Sequence, residues 1–438
     1  MVDHREPDSE HHSQPSQHGR EHNLVGDDRG GRGQQSQPGD QDAQPSERVS
    51  AKATARSAVV NSCQSRPLAR WWNANRRPAA SPLRAQLPVG PPLPTGGLRI
   101  SGSGWRGCAA IDRASMGQRQ VIRRSSMGRV TDIDIPDQSG RRAVVTGASD
   151  GIGVVIARRL AAAGAEVILP VRNPEKGGRA ADRIREVVLG ADVKVHRLDL
   201  SSFESIATFA DALLSEGRPI AVLVNNAGVM TPPSRQVTAE GFELQFGTNH
   251  LGHFALTARL LPLLRAGRAH VTHQVSIAAR NGTINWYDLN SEHSYDGMRA
   301  YAQSKIAVGL FGRELQVRSD TEGWGITSNL SHPGVSPTNL LAAQPGMGRE
   351  RPTAGYRVIR TLSRVGLLVG TVESAALPAL MASTTAEHGG GLLYGPKGLG
   401  NVGGPPGLQE LWAPLKNAAD GRRLWDASEE LVGLRVLA

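Results

Sequence analysis

Cysteines and long apolar runs are what this chain of 438 residues most clearly lacks. The only cysteines are Cys63 and Cys108, so the sequence from residue 127 onward can hold neither a disulfide nor a cysteine-based metal site. No stretch approaches the roughly 18 consecutive apolar residues of a membrane-spanning helix, and the N-terminus lacks the apolar core of a signal peptide. These absences predict a protein without a spanning segment, located in the cytoplasm.

Large apolar side chains are also scarce in residues 1–126. Gln, Ser, His, Gly, Asp and Arg dominate residues 1–50, and Arg, Pro, Gly and Ser dominate residues 51–126. Neither stretch has a sustained helical or strand period, so neither can bury enough apolar surface to offset the entropy of ordering. We therefore predict a disordered tail over 1–126 and a single folded domain over 127–438.

Charge is distributed unevenly between the tail and the domain. Residues 1–50 carry a net charge of −5 and residues 51–126 a net charge of +12, against +10 for the whole chain. The basic character therefore belongs to the tail, and the domain gives no support for nucleic-acid binding. One hypothesis makes the basic stretch an interaction arm for an anionic partner. Another starts translation at Met127 or Met116, which leaves most of the tail out of the native protein.

Short apolar runs alternate with helical patterns from residue 127 onward, which is typical of βαβ units and a parallel sheet. Strands are expected at about 142–147, 166–171, 193–198, 220–224, 269–276, 326–331 and 391–394. Helical patterns cover about 151–163, 175–188, 239–266, 298–318 and much of 341–386. We predict an α/β fold with a doubly wound parallel sheet of about seven strands, the Rossmann fold, in which ligands bind at the carboxyl ends of the strands.

A glycine-rich turn joins the first expected strand to the first expected helix. It reads Thr146-Gly147-Ala148-Ser149-Asp150-Gly151-Ile152-Gly153. Glycines at such a turn let the backbone approach a pyrophosphate, and the helix N-terminus offers free N–H groups and a positive dipole end. Because glycine turns are common, the prediction of a nucleotide site depends on the motifs that follow.

Seven short motifs occur in order along the expected elements. They are Thr146-Gly147 with Gly151 and Gly153, Asp199-Leu200, Asn225-Asn226-Ala227-Gly228, Asn249, Ser276, Tyr301 with Lys305, and Pro333-Gly334 followed by Thr338. Together they resemble the short-chain dehydrogenase/reductase family, and the phrase from Thr248 to Phe254 resembles its retinol-dehydrogenase-like branch. The resemblance implies an NAD(P)(H)-dependent oxidoreductase that transfers a hydride between its cofactor and an alcohol or carbonyl substrate. It also implies a homo-oligomer.

Tyr301 and Lys305 stand four residues apart and therefore share one helix face. A phenol is a poor base near pH ~7, so we predict that Lys305 lowers the pKa of Tyr301 and makes it a general acid/base. Ser276 is predicted to hold the substrate oxygen and stabilise developing negative charge. The resemblance implies that Lys305 also binds the nicotinamide ribose and that Asn249 orients a water for proton relay. Val275 stands where the family often has another serine, which removes a neighbouring hydroxyl.

The resemblance also implies a set of cofactor contacts. They are Gly147, Ser149, Asp150, Gly151, Ile152, Gly153, Arg172, Asp199, Leu200, Asn226, Ala227, Gly228, Tyr301, Lys305, Pro333, Gly334, Val335 and Thr338. Arg172 follows the second strand, where an acidic residue would select NAD, and a guanidinium there suits a ribose 2′-phosphate. Asp150 favours NAD, because NADP-binding relatives often carry a basic residue nearby. We predict NADP(H) over NAD(H).

The residues expected to wall the substrate pocket are largely apolar. They are the segment 277–297 and the residues after Thr338, with Trp286, Leu340, Leu341 and Met347 as the large apolar members. This composition predicts a small to medium lipophilic alcohol or carbonyl substrate.

Three histidines are interpreted as structural. They are His250, His253 and His332, which lie in phrases where the family often has histidine. No cluster of residues has metal-ligand spacing, so we expect no metal site. A catalytically silent nucleotide-binding regulator of the same fold is the alternative function. The complete set of Asn249, Ser276, Tyr301 and Lys305 favours the enzyme.

Overall fold

The computed structural model describes residues 132–337, 340, 346, 348–352, 356–365, 369–385 and 389–436. Several subjects of the predictions lie outside these residues. They are the expected tail over 1–126, the candidate starts Met116 and Met127, and Thr338, Leu341 and Met347.

One sheet dominates the described part of the chain. Its strands are β1 Arg142–Val145, β2 Glu166–Val171, β3 Val193–Arg197, β4 Val222–Asn225, β5 His270–Gln274, β6 Thr327–Ser331, β7 Leu393–Pro396 and β8 Pro406–Gln409. Their order is β3-β2-β1-β4-β5-β6-β7-β8, with every pair parallel except β7 and β8. The predicted doubly wound sheet is confirmed, with one strand more than expected. The sequence does not reveal β8, because four edge residues that include Pro406 and Gly407 show neither alternation nor an apolar run.

Helices cover both faces of this sheet. They are α1 Gly151–Ala162, α2 Pro174–Val187, α3 Phe203–Glu216, α4 Gly252–Ala266, α5 Gly297–Glu322, α6 Tyr356–Val365, α7 Val372–Thr384 and α8 Ala418–Val432. The C-terminal α8 packs against α5. Within the described ranges, no helix is both long and apolar enough to span a bilayer.

The expected single helix over 239–266 is wrong in its first part. Gly241 adopts a φ of +86°, which interrupts the pattern, and a π-helix at Phe246–Leu251 then leads into α4. The glycines of this stretch allow close packing. A Cβ on Gly247 would lie 2.4 Å from Thr238, and one on Gly252 would lie 2.3 Å from the carbonyl oxygen of Leu200. The π-helix thus packs tightly against the loops at the carboxyl edge of the sheet.

The central strands are buried almost throughout because helices cover both faces of the sheet, and β1, β2 and β4 are mostly apolar. In β1, Val144 packs into the cluster formed with α3, α4 and α5, where Phe254 and Phe311 are members. Ala143 and Val145 face the opposite cluster, formed with α1 and α7. The parallel arrangement brings the carboxyl ends of β1, β2, β4, β5 and β6 to one edge of the sheet, where the polar motifs follow.

Candidate active site

A cleft with a volume of about 540 Å³ runs along the carboxyl edge of the sheet. It is lined by all of the predicted cofactor-contact residues that the structure describes. These are Gly147, Ser149, Asp150, Gly151, Ile152, Gly153, Arg172, Asp199, Leu200, Asn226, Ala227, Gly228, Tyr301, Lys305, Pro333, Gly334 and Val335, and Ser276 joins them. The fold therefore brings together motifs that are spread over nearly 200 residues of sequence.

The glycine turn leaves open space where a dinucleotide would lie. Gly151 has a φ of +55°, and a Cβ built on it would meet nothing within 4 Å. Gly147 and Gly153 are instead packed, since a Cβ on Gly153 would lie 2.5 Å from the carbonyl oxygen of Gly147. Asp150 caps α1 by accepting from the N–H of Gly151 at 2.8 Å. The turn and the N-terminus of α1 fit the pyrophosphate of a dinucleotide.

Thr146 joins the glycine turn to the loop after β4. Its hydroxyl oxygen accepts hydrogen bonds from the N–H groups of Asn226 and Ala227, both at 2.9 Å. The side-chain amide of Asn226 donates to the Thr146 carbonyl oxygen at 2.8 Å. These bonds fix the loop that lines the floor of the cleft.

Three charged side chains lie in or next to the glycine turn, namely Asp150, Arg172 and Lys176. Arg172 is exposed at the end of β2 and lines the cleft. Lys176, in the first turn of α2, forms an ion pair with Asp150 at 2.7 Å. Sequence reasoning missed Lys176. Its signal is the Asn173-Pro174 helix start, which puts Lys176 at the position whose N–H the Asn173 side chain caps.

Asp199 lines the same part of the cleft. Its carboxylate accepts from the hydroxyl of Ser201 at 2.6 Å and from the Ser201 N–H at 3.0 Å. These bonds hold the carboxylate in one orientation after β3.

Tyr301 and Lys305 lie buried on α5 at one end of the cleft. Lys305 Nζ lies 6.0 Å from the centre of the Tyr301 ring and donates to the Gln274 carbonyl oxygen at 2.9 Å. Burial raises the pKa of Tyr301, and a hydrogen bond to Ser276 opposes that shift. Burial also lowers the pKa of Lys305 to about 8. The net shift of the Tyr301 pKa is therefore opposite to the predicted lowering, because desolvation of the buried phenol outweighs the hydrogen bond to Ser276.

Ser276 follows β5 and caps a short 3₁₀ helix, Ile277–Arg280. Its hydroxyl oxygen accepts from the N–H of Ala278 at 3.2 Å. The neighbouring Val275 is buried in the core cluster that includes Ile306 and Leu330. The apolar side chain therefore suits a buried position, and Ser276 keeps its hydroxyl at the cleft.

Asn249 is fully buried in the π-helix, behind the floor of the cleft. Its Oδ1 accepts from the Val229 N–H at 2.8 Å, and its Nδ2 donates to the Val229 carbonyl and to the Ser304 hydroxyl, both at 3.0 Å. A Cβ on Gly228 would lie 3.2 Å from Asn249 Oδ1 and 3.4 Å from Lys305 Nζ. The missing side chain of Gly228 therefore leaves space next to both Asn249 and Lys305.

The end of the cleft near Tyr301 has apolar walls. Described members are Met230, Ile277, Met298, Leu340 and Ile359. The prediction for Trp286 is wrong: its indole N–H donates to Asp420 at 3.1 Å, and it does not line the cleft. Tertiary contact with α8 accounts for this, and the prediction did not include α8.

Arg349 anchors the segment that carries Leu340. Its guanidinium donates to the Leu340 carbonyl at 2.5 Å, to the Met230 carbonyl at 2.8 Å and to the Thr231 hydroxyl at 3.0 Å. It thereby joins two walls of the cleft. The sequence gives no signal for this role, because a single arginine in a polar stretch is usually solvated.

The three histidines that the sequence analysis interprets as structural are buried. Burial lowers the pKa of His250 to about 3 and those of His253 and His332 to about 4. Across the described ranges, no group of three or more His, Cys, Asp or Glu side chains could hold a metal ion.

Comparison with known proteins identifies the family. The short chain dehydrogenase model matches residues 141–346. Retinol dehydrogenase 13 of Homo sapiens is 39% identical over 304 residues, covering 67% of this chain and 85% of that protein. Polyprenol dehydrogenase of Mus musculus is 39% identical over 312 residues, covering 68% and 86%. The chain belongs to the short-chain dehydrogenase/reductase family.

One solved structure has a similar fold. The crystal structure of an uncharacterized protein from Mycobacterium Paratuberculosis is 33% identical, with a TM-score of 0.56, and covers 70% of this chain and 98% of that one. This short-chain dehydrogenase/reductase is therefore an NAD(P)-dependent oxidoreductase that acts on the CH–OH groups of small-molecule alcohols or on the corresponding carbonyls.

Proposed function

We propose that this protein reduces a lipophilic carbonyl compound with NADP(H), with Tyr301 as the proton donor. The observation that carries the proposal is the meeting of Tyr301, Ser276 and Lys305 at an apolar end of the cleft. A nicotinamide cofactor supplies the hydride when it is bound along the cleft. The protein's own residues hold the carbonyl and deliver the proton.

Tyr301 suits proton donation because burial raises its pKa, so the phenol keeps its proton at neutral pH. Ser276 is hydrogen-bonded to Tyr301, and the two hydroxyls can hold one carbonyl oxygen between them. Both donors stabilise the negative charge that develops on this oxygen. The pair therefore polarises the carbonyl and protonates the resulting alkoxide.

Lys305 and Asn249 support the return of the proton. The pKa of Lys305 falls to about 8, so the ammonium can give up a proton near neutral pH more readily than an exposed lysine. Asn249 lies beside Gly228, as Lys305 does, and is held by Val229 and Ser304. We assign Lys305 the ribose contact and the proton supply, and Asn249 the orientation of a relay water.

The preference for NADP(H) has support from charge. Arg172 lies at the end of β2, and Lys176 offsets the negative charge of Asp150. Together the three side chains leave a net positive charge where a ribose 2′-phosphate would bind. The remaining cofactor contacts are proposed as the sequence predicts them, with Asp199 at the adenine.

The substrate class follows from the walls of the cleft. Met230, Met298, Leu340 and Ile359 offer apolar surface beside Tyr301. A lipophilic carbonyl compound gains from burying its chain against such walls. Retinol dehydrogenase 13 and polyprenol dehydrogenase, to which this chain is similar, are named for lipophilic alcohols. The homo-oligomer and the cytoplasmic location stay predictions.

Replacement of the proton donor tests the proposal. Tyr301→Phe should lower kcat for reduction of nonanal and all-trans-retinal with NADPH by at least about 100-fold, since general acid catalysis contributes about that much. The affinity for NADPH, measured by cofactor fluorescence, should stay within about twofold.

Tyr394→Phe is the matched control, because Tyr394 is buried in β7 away from the cleft. It should leave kcat unchanged. A wild-type protein that binds NADPH and turns over no carbonyl or alcohol would favour the silent regulator instead.

A further inference from the structure

His253 links the helix that carries Asn249 to the floor of the cleft. It lies in the first turn of α4, directly after the π-helix, and is 2% exposed. Its Nδ1 lies 2.8 Å from the main-chain carbonyl oxygen of Asn249. Its Nε2 lies 3.0 Å from the hydroxyl oxygen of Thr146. One ring nitrogen therefore has its partner in the π-helix, and the other has its partner in the glycine turn.

The partners determine where the ring proton sits. A carbonyl oxygen can only accept, so His253 Nδ1 carries the proton. Burial lowers the pKa of His253 to about 4, so the ring is neutral at pH ~7 and Nε2 is an acceptor. The Val224 carbonyl oxygen lies 3.3 Å from the Thr146 hydroxyl, but it already accepts from the N–H groups of Thr146 and Asn226, both at 3.0 Å. The hydroxyl therefore donates its proton to His253 Nε2, the nearer acceptor at 3.0 Å.

Thr146 extends this chain to the cofactor side. Its oxygen also accepts from the N–H groups of Asn226 and Ala227, which line the cleft. At the other end, the Asn249 side chain forms hydrogen bonds with the main-chain N–H and carbonyl groups of Val229. A continuous chain of hydrogen bonds thus runs from the loop after β4, through Thr146 and His253, to Asn249.

We propose that His253 is a positioning residue, whose Nδ1–H fixes the main chain of Asn249 and whose Nε2 ties it to the cofactor-binding loop through Thr146. The proposal rests on the proposed function, because it assigns Asn249 and that loop to one active site. His253 touches neither substrate nor cofactor. Its effect passes through Asn249 on one side and through Thr146 on the other.

His250 offers a matched comparison three residues earlier. It is equally buried, and its Nε2 lies 2.8 Å from the Ser428 hydroxyl oxygen. Ser428 already donates to the Leu424 carbonyl at 2.7 Å, so it accepts from His250. His250 therefore carries its proton on Nε2, the opposite tautomer to His253, and it contacts α8 rather than the cleft.

The tautomers can be read directly. Full-length protein labelled with ¹⁵N-histidine is examined by long-range ¹H–¹⁵N NMR at pH 7, and the signals are assigned by their loss in His253→Gln and His250→Gln. We expect His253 as the Nδ1–H tautomer and His250 as the Nε2–H tautomer. An Nε2–H or charged His253 would overturn the proposal without any measurement of turnover.

Two conservative variants of His253 distinguish its hydrogen bond to Asn249 from its hydrogen bond to Thr146. Asn has its amide nitrogen near the position of histidine Nδ1, so His253→Asn keeps a donor for Asn249 and loses the contact with Thr146. Gln has its amide near the position of Nε2, so His253→Gln keeps the contact with Thr146 and loses the donor for Asn249. Loss of one such bond corresponds to about a tenfold effect.

The expected effects therefore differ. His253→Asn should raise the Kd for NADPH about tenfold and leave kcat with nonanal within about twofold. His253→Gln should lower kcat about tenfold and leave the Kd within about twofold. His250→Gln should change neither, although it should lower the Tm.

Equal effects of both His253 variants on Kd and kcat would overturn the proposal and leave His253 a packing residue. Absence of turnover in the wild-type protein would reject the proposed function alone, because the tautomer and the Kd measurements need no substrate. If neither variant folds, the His253 signals are assigned in the wild-type protein through the NOE between its ring protons and the neighbouring Thr146, and the wild-type tautomer decides the proposal.

Discussion

At the scale of the residue, charge beside the glycine turn is the basis of the proposed preference for NADP(H). The Lys176–Asp150 pair has both partners more than two-fifths exposed, so it is screened and contributes little to stability. Its effect on a ligand is different, because it offsets the negative charge that Asp150 would present to a phosphate. Arg172 then supplies the charge that a 2′-phosphate can pair with.

Arg172→Ala tests this preference. The affinity for NADPH should fall about 10- to 100-fold, since a hydrogen bond to a charged group contributes about 1.5–3 kcal/mol. The affinity for NADH should stay within about twofold, because NADH has a 2′-hydroxyl there. Cofactor fluorescence measures both, with Arg179→Ala, an exposed arginine of α2, as control. Equal losses for both cofactors would contradict the preference.

Single residues also mark how far a sequence predicts a site. The motif residues could be named because their chemistry and order are specific, and the described ones line the cleft apart from Thr146, Asn225 and Asn249, which are buried next to it. Three residues at or beside the cleft, Lys176, Met230 and Arg349, belong to no motif, and only tertiary packing brings them to this site. The pKa of Tyr301 is raised, opposite to the predicted direction, because burial, which the sequence does not report, outweighs the hydrogen bond to Ser276.

At the scale of the element, close packing at glycine fixes the turn before α1. Gly153 lies against the backbone of Gly147 and Ala148, where a Cβ would be 2.5 Å and 2.9 Å from the nearest atoms. Gly178, inside α2, has nothing within 4 Å of the same position. Replacement by alanine should therefore destabilise the protein at Gly153 and stabilise it at Gly178.

Gly153→Ala should lower the free energy of unfolding and raise the Kd for NADPH at least about tenfold, because the backbone of the glycine turn has to shift. Gly178→Ala should raise the free energy of unfolding by about 0.5–1 kcal/mol, because alanine loses less entropy in a helix. Urea unfolding and cofactor fluorescence measure both changes. Unchanged NADPH affinity in Gly153→Ala would contradict the role of the turn.

Elements with a regular pattern are those that the sequence predicts. The βαβ alternation placed β1 to β7 close to their observed bounds. The pattern over 239–266 predicted one helix, but Gly241 interrupts it and a π-helix precedes α4. β8 was missed because its four residues show no pattern and gain stability from pairing with β7. The sequence does carry a signal for α8, since Asn417 caps it, Gly433 ends it and buried residues recur at helical spacing, but the prediction did not include it.

At the scale of the whole molecule, a cluster of ion pairs connects the elements at the amino ends of the first strands, opposite the cleft. Arg142, at the start of β1, is 1% exposed and pairs with Glu166 at 2.9 Å and Glu216 at 2.6 Å. Lys194 and Arg218 also pair with Glu166, at 2.6 Å and 2.7 Å. Burial acts to raise the pKa of Glu166, but these cations lower it overall to about 2.

The cluster should make stability sensitive to acid. The pKa of Glu166 is lowered on folding from 4.5 to about 2, so its contribution is present above pH ~4.5 and is lost as pH falls toward 2. Glu166→Gln should lower the free energy of unfolding by about 3 kcal/mol at pH 7, with a smaller loss below pH ~4. Urea unfolding from pH 7 to 3 measures this, with exposed Glu186→Gln as control. A pH-independent gap would contradict it.

Transfer of deuterium tests the central claim most directly, because it follows the hydride itself. Full-length protein is incubated with NADPH deuterated at the transferred C4 position and with nonanal, and the alcohol is examined by mass spectrometry. The account predicts nonanol carrying one deuterium at C1, formed by the wild-type protein and at least about 100-fold more slowly by Tyr301→Phe. Intact NADPH binding without labelled alcohol would contradict it, as would equal rates for the two proteins.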